Sequence, residues 1–119
     1  MKPSWPEKTS ELNTLLSELR GGMPATFKAF SALAQAATAP NSLDGRTKEL
    51  IALGIAVAIR CDDCIAFHAK AAARLGATRE EVLETLAMAI YMGAGPSVMY
   101  ASHALEAFGQ FNNALAPTA

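Results

Sequence analysis

The sequence predicts an all-α fold of five to six helices in a single domain, residues 1–119, with a helical hairpin buried at its centre. Alanine, the strongest helix former, provides 25 of the 119 residues, whereas the β-branched residues Val and Ile together provide only 8. Apolar residues recur at helical spacing, and Gly, Pro, Asn or Asp interrupt them. With a hydrophobic share of 51%, the chain can form a packed core.

The first two predicted helices precede the part of the chain that carries chemistry. Four leucines at helical spacing predict a helix over residues 7–20, which a pair of glycines ends. Pro24 suits the first turn of a second helix, which reaches about residue 37 and places two phenylalanines on one side. Residues 39–42 then form a loop.

The third and fourth helices form the predicted central hairpin. Asp44 is an expected N-cap, and the helix after it runs to about Ile59. Its second half is apolar on every face, as expected for the buried centre of a bundle. The polar cluster 60–63 favours a bend, after which a fourth helix runs from about Asp62 to Leu75.

Two further helices complete the prediction. The segment Thr78-Arg79-Glu80-Glu81 is a capping box, which starts a fifth helix that ends near Gly93. Pro96 opens a sixth helix, which is expected to fray before Pro117. Three methionines and two tyrosines in this region are expected in the core or a subunit interface: Met88, Met92, Met99, Tyr91 and Tyr100.

Charge and hydropathy limit the function. Ten basic and eleven acidic residues give a net charge of −1 with no block of like charge, so we expect no nucleic-acid partner. The longest apolar run, residues 50–59, is half of the roughly twenty residues that a membrane span needs, so we expect no membrane partner. The first residues lack a signal peptide, which predicts a cytoplasmic protein. A mean hydropathy of +0.19 predicts a homo-oligomer.

The segment from Cys61 to His68 has the pattern C-x-x-C-x-x-x-H. On a helix, Cys61, Cys64 and His68 fall within an arc of about 60°, and Cys64 and His68 are one turn apart. The stripe continues through Ile65 to Leu75 and is therefore expected to face the interior. Two thiols at this spacing can close a disulfide, and the imidazole can accept a thiol proton.

Two effects on the thiols oppose each other. The start of a helix stabilises a thiolate through its dipole and free N–H groups. Asp62 and Asp63 bring negative charges beside the cysteines, which disfavours a thiolate. The sequence leaves open which effect is larger.

Glu49 is the fourth candidate site residue. It lies about 16 Å before the predicted bend and His68 lies about 12 Å after it, at 1.5 Å per helical residue. An antiparallel hairpin would therefore bring them to nearly the same level, with Ala52 and Ala56 leaving room between the helices.

These residues resemble a known family. Glu49, the Cys61-x-x-Cys64 pair twelve residues later and His68 are similar to the AhpD-like (alkylhydroperoxidase) branch of the carboxymuconolactone decarboxylase family. Residues 43–53 and 87–95 are similar as well, and the resemblance covers about residues 44–107.

The resemblance implies an all-helical homo-oligomer, a trimer or hexamer, with peroxidase or disulfide reductase activity. We expect no cofactor. The resemblance also implies that Glu49 and His68 relay protons to Cys61 and Cys64. The partners would be a hydroperoxide or disulfide substrate and an external dithiol reductant. The best-known peroxidases of this branch carry His immediately before the second cysteine, where this chain has Asp63. A disulfide reductase without peroxidase activity is therefore the alternative, followed by a lactone-converting or metal-binding function.

Within the redox interpretation, His68 is expected to act as the base toward Cys64 and Glu49 to orient His68. Cys61, nearer the helix end, is expected to exchange with the reductant. Metal binding by both thiols, His68 and Glu49 is a rival, but three ligands on one short helix fit a tetrahedral site poorly, so no metal site is assigned. His103 has only Glu106 one turn away and is expected to be structural.

Overall fold

The computed structural model describes residues 2–115, and five α-helices account for most of them. They are α1 (Trp5–Gly22), α2 (Pro24–Thr38), α3 (Gly45–Ala58), α4 (Asp62–Arg74) and α5 (Arg79–Leu115). No strand occurs within residues 2–115, and the all-α prediction is confirmed. The expected fraying before Pro117 lies outside the described residues.

Side-chain caps start the helices where the sequence predicts them. The carboxylate of Asp44 accepts the backbone N–H of Thr47 at 2.7 Å and caps α3. Before α5, the Glu81 carboxylate accepts the N–H of Thr78 at 2.8 Å, and the Thr78 hydroxyl accepts the N–H of Glu81 at 3.1 Å. This reciprocal pair is the predicted capping box.

The predicted bend between α3 and α4 lies at Arg60. This residue has a φ of 63°, in the left-handed region that usually requires glycine. The N–H of Arg60 donates to the carbonyl of Val57, and the N–H of Cys61 donates to the carbonyl of Ala56. The same two-bond Schellman pattern ends α4, where Gly76 adopts the left-handed conformation.

The predicted break between a fifth and a sixth helix is a kink within α5. Ala94, with φ 59° and ψ −148°, is the non-helical residue, and Pro96 follows it. Gly93 permits close packing across this kink, because an added Cβ would overlap the hydroxyl of Ser97. The Ser97 hydroxyl is fully buried and has no hydrogen-bond partner among the described residues.

The core lies between α3, α4 and α5. Its largest fully buried apolar side chains come from these three helices: Leu53, Val57, Ile65 and Val82. Alanines fill most of the remaining buried positions and allow the helices to approach closely. Leu75, which the sequence places on an interior stripe, is instead half exposed, because α4 ends before it.

The first two helices contribute little to this core. α1 buries Trp5 and Thr9, whereas α2 buries no residue and leaves Phe30 and Leu33 more than 60% exposed. In the described part of the chain, α2 packs mainly against α1 and α3.

By length and composition alone, α5 is apolar enough to cross a membrane, although polar residues interrupt its apolar stretches. A single such helix is weak evidence, because core helices meet the same criterion. Here α5 packs against α3 and α4 and carries nine buried residues, and it is kinked at Ala94.

Candidate functional site

Cys61 and Cys64 form a disulfide at the start of α4. Their Cα atoms are 5.2 Å apart, within the usual range for a disulfide. Cys61 is the N-cap of α4, and its sulfur accepts the backbone N–H of Cys64 at 3.1 Å. The helix therefore directs an N–H group at Cys61, and the same group would stabilise a thiolate there after reduction.

Glu49 and His68 meet across the hairpin, as the sequence predicts. Oε2 of Glu49 lies 2.6 Å from Nδ1 of His68. Because a carboxylate only accepts hydrogen bonds, Nδ1 is assigned the proton and donates a hydrogen bond to Oε2 of Glu49. Nε2 of His68 is then the ring nitrogen that can exchange protons with a reacting group. The Glu49 side chain is 11% exposed and that of His68 34% exposed, so the pair has one buried and one accessible end.

A cavity of about 620 Å³ lies between α1, α2 and α4. Asp63, Cys64 and His68 line it on the side of α4. The opposite wall is largely apolar and is formed by α1 and α2 through Leu12, Leu16, Phe27 and Phe30. Cys64, but not Cys61, is part of the lining, so the two sulfurs differ in their access to this space.

His68 and Cys64 therefore share a cavity, but no direct hydrogen bond joins them. Among residues 2–115, no hydrogen bond links His68 to either sulfur in this disulfide state. The distance between Nε2 of His68 and the Cys64 sulfur, across which a proton would move, therefore depends on the rotamers of these two side chains. In unliganded sites, catalytic contacts are often longer than in the reacting complex.

The sequence did not identify the wall that α1 and α2 provide. Their leucines and phenylalanines were expected to form ordinary apolar faces, and only tertiary packing brings them opposite Cys64. Arg20 also lines the cavity, with its guanidinium 5.5 Å from the centre of the Phe27 ring.

The structure gives His103 a different partner from the one that the sequence suggests. Its Nδ1 lies 2.8 Å from Oδ1 of Asp62, so its partner belongs to α4 and is not Glu106. The Glu106 carboxylate instead accepts the indole N–H of Trp5 at 2.7 Å and pairs with Lys2. These hydrogen bonds, that from Trp5 first, lower the pKa of the Glu106 carboxyl. The sequence could not reveal the His103–Asp62 pair, because 41 residues separate its members.

A second, more apolar cavity of about 450 Å³ lies between α3 and α5. Ile51, Ile55, Met88 and Met92 line it and are exposed in the isolated chain. Tyr91 is exposed as well, so these methionines and the tyrosine do not belong to the core of one subunit. In residues 2–115 no group of three or more His, Cys, Asp and Glu side chains is arranged to hold a metal ion.

Residues 24–107 match the family model of the carboxymuconolactone decarboxylase family. The chain belongs to this family. The match includes both cysteines, His68 and Glu49, and it ends within α5, so it spans the whole candidate site except the part of the cavity wall that α1 contributes.

Similar proteins agree with this assignment. A carboxymuconolactone decarboxylase family protein from Legionella pneumophila has a solved structure that is 53% identical, with a TM-score of 0.88 over 91% of this chain and 96% of that chain. A family member from Thermotoga maritima, for which a role in the antioxidative response has been suggested, is 30% identical, with a TM-score of 0.80 over 89% of this chain and 91% of its own. An uncharacterised protein of Cupriavidus necator is 45% identical over 88% of this chain and 93% of its own length.

Proposed function

We propose that this protein is a thiol-dependent hydroperoxidase of the AhpD-like branch, which reduces organic hydroperoxides through Cys61 and Cys64. The observation that carries the proposal is the arrangement at the start of α4. A disulfide-forming pair lies there, and one of its sulfurs shares a cavity with an imidazole that a buried carboxylate orients.

In the first step, Nε2 of His68 takes the proton of the Cys64 thiol. The thiolate attacks the terminal oxygen of the hydroperoxide, so an S–O bond forms as the O–O bond breaks. Cys64 becomes a sulfenic acid, and the alkoxide that leaves takes the proton back from His68 and departs as an alcohol. Glu49 stabilises the transient imidazolium through the 2.6 Å contact with Nδ1.

In the second step, the Cys61 sulfur attacks the sulfenic sulfur of Cys64. The disulfide forms, and the hydroxyl group leaves with the proton of the Cys61 thiol as water. The sequence spacing already places both sulfurs within bonding distance, so this step needs no large movement of α4.

An external dithiol completes the cycle. One of its thiols loses its proton and attacks the Cys61 sulfur, and Cys64 leaves as a thiolate that takes up a proton through Nε2 of His68, so that Cys64 regains the proton that the reductant has lost. The second thiol of the reductant then displaces Cys61, so the reductant becomes a disulfide and both cysteines are restored. Cys61 is assigned to this role because it lies outside the cavity that holds Cys64.

The cavity favours an organic hydroperoxide with an apolar body. A volume of about 620 Å³ suits a small-molecule ligand, and its far wall offers leucine and phenylalanine side chains. The antioxidative role suggested for the Thermotoga maritima relative also supports the proposal.

A general disulfide reductase is the second candidate function. Asp63 favours it, because this residue lines the same cavity as Cys64 and its negative charge disfavours the attacking thiolate. In this case the same pair would exchange with disulfides and would not turn over peroxide.

The oligomer and the compartment complete the proposal. Exposed isoleucines and methionines along α3 and α5 support a homo-oligomer, a trimer or hexamer, in which the α3–α5 cavity is covered by another copy. Turnover by a dithiol reductant fits a cytoplasmic location.

A thiol count during a single turnover tests the proposed function. The reduced protein is mixed with one equivalent of cumene hydroperoxide, and free thiols and cumyl alcohol are measured. We expect both thiols to disappear together as one equivalent of alcohol forms, and His68→Ala to slow this reaction. Exchange with an aromatic disulfide but no alcohol would favour the reductase, and two unreactive thiols would overturn both candidates.

A further inference from the structure

The disulfide is flanked by two imidazole–carboxylate pairs from different helices. Glu49 of α3 binds His68, whereas His103 of α5 binds Asp62, the first residue of α4 and the neighbour of Cys61. The proposed cycle uses only the first pair, and it acts on the side of Cys64. The second pair includes Asp62, the chain neighbour of Cys61, whose sulfur is the one proposed to exchange with the reductant.

The surroundings of His103 hold its ring in place. Tyr100 meets the ring edge-on, with a centroid distance of 5.2 Å, and Trp5 of α1 lies 6.4 Å away. Glu106, one turn further along α5, is engaged by Trp5 and Lys2. Asp62 is therefore the carboxylate left for His103, and Nδ1 donates to it at 2.8 Å.

We propose that His103 is a positioning residue for Cys61: it holds the Asp62 carboxylate and offsets its negative charge, so that Cys61 forms a thiolate more readily. The inference rests on the proposed dithiol cycle and deepens its last step. There the second thiol of the reductant breaks the mixed disulfide, and Cys61 leaves with the electron pair of the S–S bond. A lower thiol pKa makes Cys61 a better leaving group.

The expected size follows from the geometry of neighbouring residues. Consecutive Cα atoms are about 3.8 Å apart, so the Asp62 carboxylate lies within roughly 10 Å of the Cys61 sulfur. In a partly exposed site, one unit charge at about this distance changes a thiol pKa by about half a unit to one unit.

The test measures the pKa of Cys61 alone. In Cys64→Ser protein Cys61 is the only thiol, and the pH dependence of its alkylation by iodoacetamide gives its pKa. We expect His103→Gln to raise this pKa by about half a unit to one unit, which slows alkylation at neutral pH about three- to tenfold. Asp62→Asn should lower the pKa, and adding His103→Gln to Asp62→Asn should change nothing further.

Matched controls separate this effect from a general change in packing. Glu106→Gln alters the same corner of the fold but leaves Asp62 and His103 intact, so the pKa of Cys61 should not change. In Cys61→Ser protein, His103→Gln should shift the pKa of Cys64 less than it shifts that of Cys61. With both cysteines present, dithiothreitol should reduce the Cys61–Cys64 disulfide more slowly in His103→Gln protein than in the wild type.

An unchanged Cys61 pKa in His103→Gln protein would overturn the inference. So would an equal shift in the Asp62→Asn background, since His103 would then not act through Asp62. If His103→Gln fails to fold, the Asp62→Asn variant alone tests the inference. A pKa of Cys61 that does not fall in this variant would overturn it. None of these measurements uses peroxide. If the protein consumes no peroxide, the proposed function is refuted, but the effect of His103 on the pKa of Cys61 can still be measured.

Discussion

Oε2 of Glu49 and Nδ1 of His68 lie 2.6 Å apart although 19 residues separate them in the chain. The contact joins the two helices of the central hairpin, so it contributes to the packing of α3 on α4 as well as to the proposed proton transfer. Because Glu49 is largely buried, its carboxylate has few other partners, and His68 is held with Nε2 free for chemistry.

Substitution of Glu49 tests its role in orienting His68. Glu49→Gln retains the size of the side chain but removes the charge that stabilises an imidazolium, so we expect hydroperoxide turnover to fall about 10- to 100-fold. The measurement is the rate of cumyl alcohol formation with excess dithiothreitol. Glu84→Gln, on an exposed position of α5, is the control and should retain full activity. Equal activity of Glu49→Gln and wild type would remove Glu49 from the mechanism.

The left-handed backbone at Arg60 should limit stability. A side chain in this conformation costs energy that glycine avoids, whereas glycine gives the unfolded chain more freedom. We expect Arg60→Gly to raise the free energy of unfolding by about 0.5–1 kcal/mol in urea denaturation. Arg60→Val, which places a β-branched residue there, should lower it by a similar or larger amount. A loss of stability in Arg60→Gly would show that the Arg60 side chain makes a stabilising contact.

The N-cap of α3 gives an acid-dependent contribution to stability. Hydrogen bonds from Thr47, of its side chain first and then of its backbone, lower the pKa of the Asp44 carboxyl. A depressed pKa in the folded state stabilises the protein above the pKa of the unfolded chain and is lost as the pH falls through the lowered value. Asp44→Ala should therefore lower the Tm at pH 7, and the difference should shrink below about pH 4.

Asp44→Asn provides the control for this cap. Its amide oxygen can still accept the Thr47 N–H, so the Tm at pH 7 should lie closer to that of the wild type than the Tm of Asp44→Ala. A difference between wild type and Asp44→Ala that stays constant down to pH 3 would exclude the ionised carboxylate as the source of the stabilisation.

The cavity between α3 and α5 is an exposed apolar groove in the single chain and predicts a subunit contact. Ile55 lines this groove and is 55% exposed, so Ile55→Lys would place a charge in an interface but would not disturb the core of one subunit. We expect the mass from light scattering to fall from that of an oligomer to about that of one chain, with helical content unchanged. Glu84→Lys, which adds positive charge on α5 at an exposed position that does not line the groove, should leave the mass unchanged. A wild-type protein that is itself monomeric would contradict the prediction.

Local rules were sufficient for most of the fold. Asp44 and the Thr78–Glu81 capping box identify helix starts because capping depends on neighbouring residues. The hairpin bend was predicted from polarity and was found, although no Gly or Pro marks it, because Arg60 accepts the left-handed conformation. The predicted boundary between the fifth and sixth helices is confirmed as well, because two helical segments of α5 meet at Ala94, where the backbone leaves helical geometry.

The candidate site was predictable where helical spacing sets distances. Cys61, Cys64 and His68 lie on one helix, and Glu49 could be placed at their level by its distance from the bend. The His103–Asp62 pair and the cavity wall from α1 and α2 depend on how separate helices pack, which no spacing in the sequence encodes. Tyr91 and Met92 are exposed in the single chain, and helical spacing likewise does not show which apolar residues remain outside its core.

Cys61 is the acceptor for the first turn of α4 and is also a redox sulfur in the proposed function. A thiolate accepts a hydrogen bond more strongly than a disulfide sulfur does, because it carries a full charge. We therefore expect the N–H of Cys64 to be held more strongly when Cys61 is a thiolate than when it is part of the disulfide. Amide hydrogen exchange at Cys64 would then report the oxidation state of the pair, and in the proposed cycle the cap of α4 would change with each turnover.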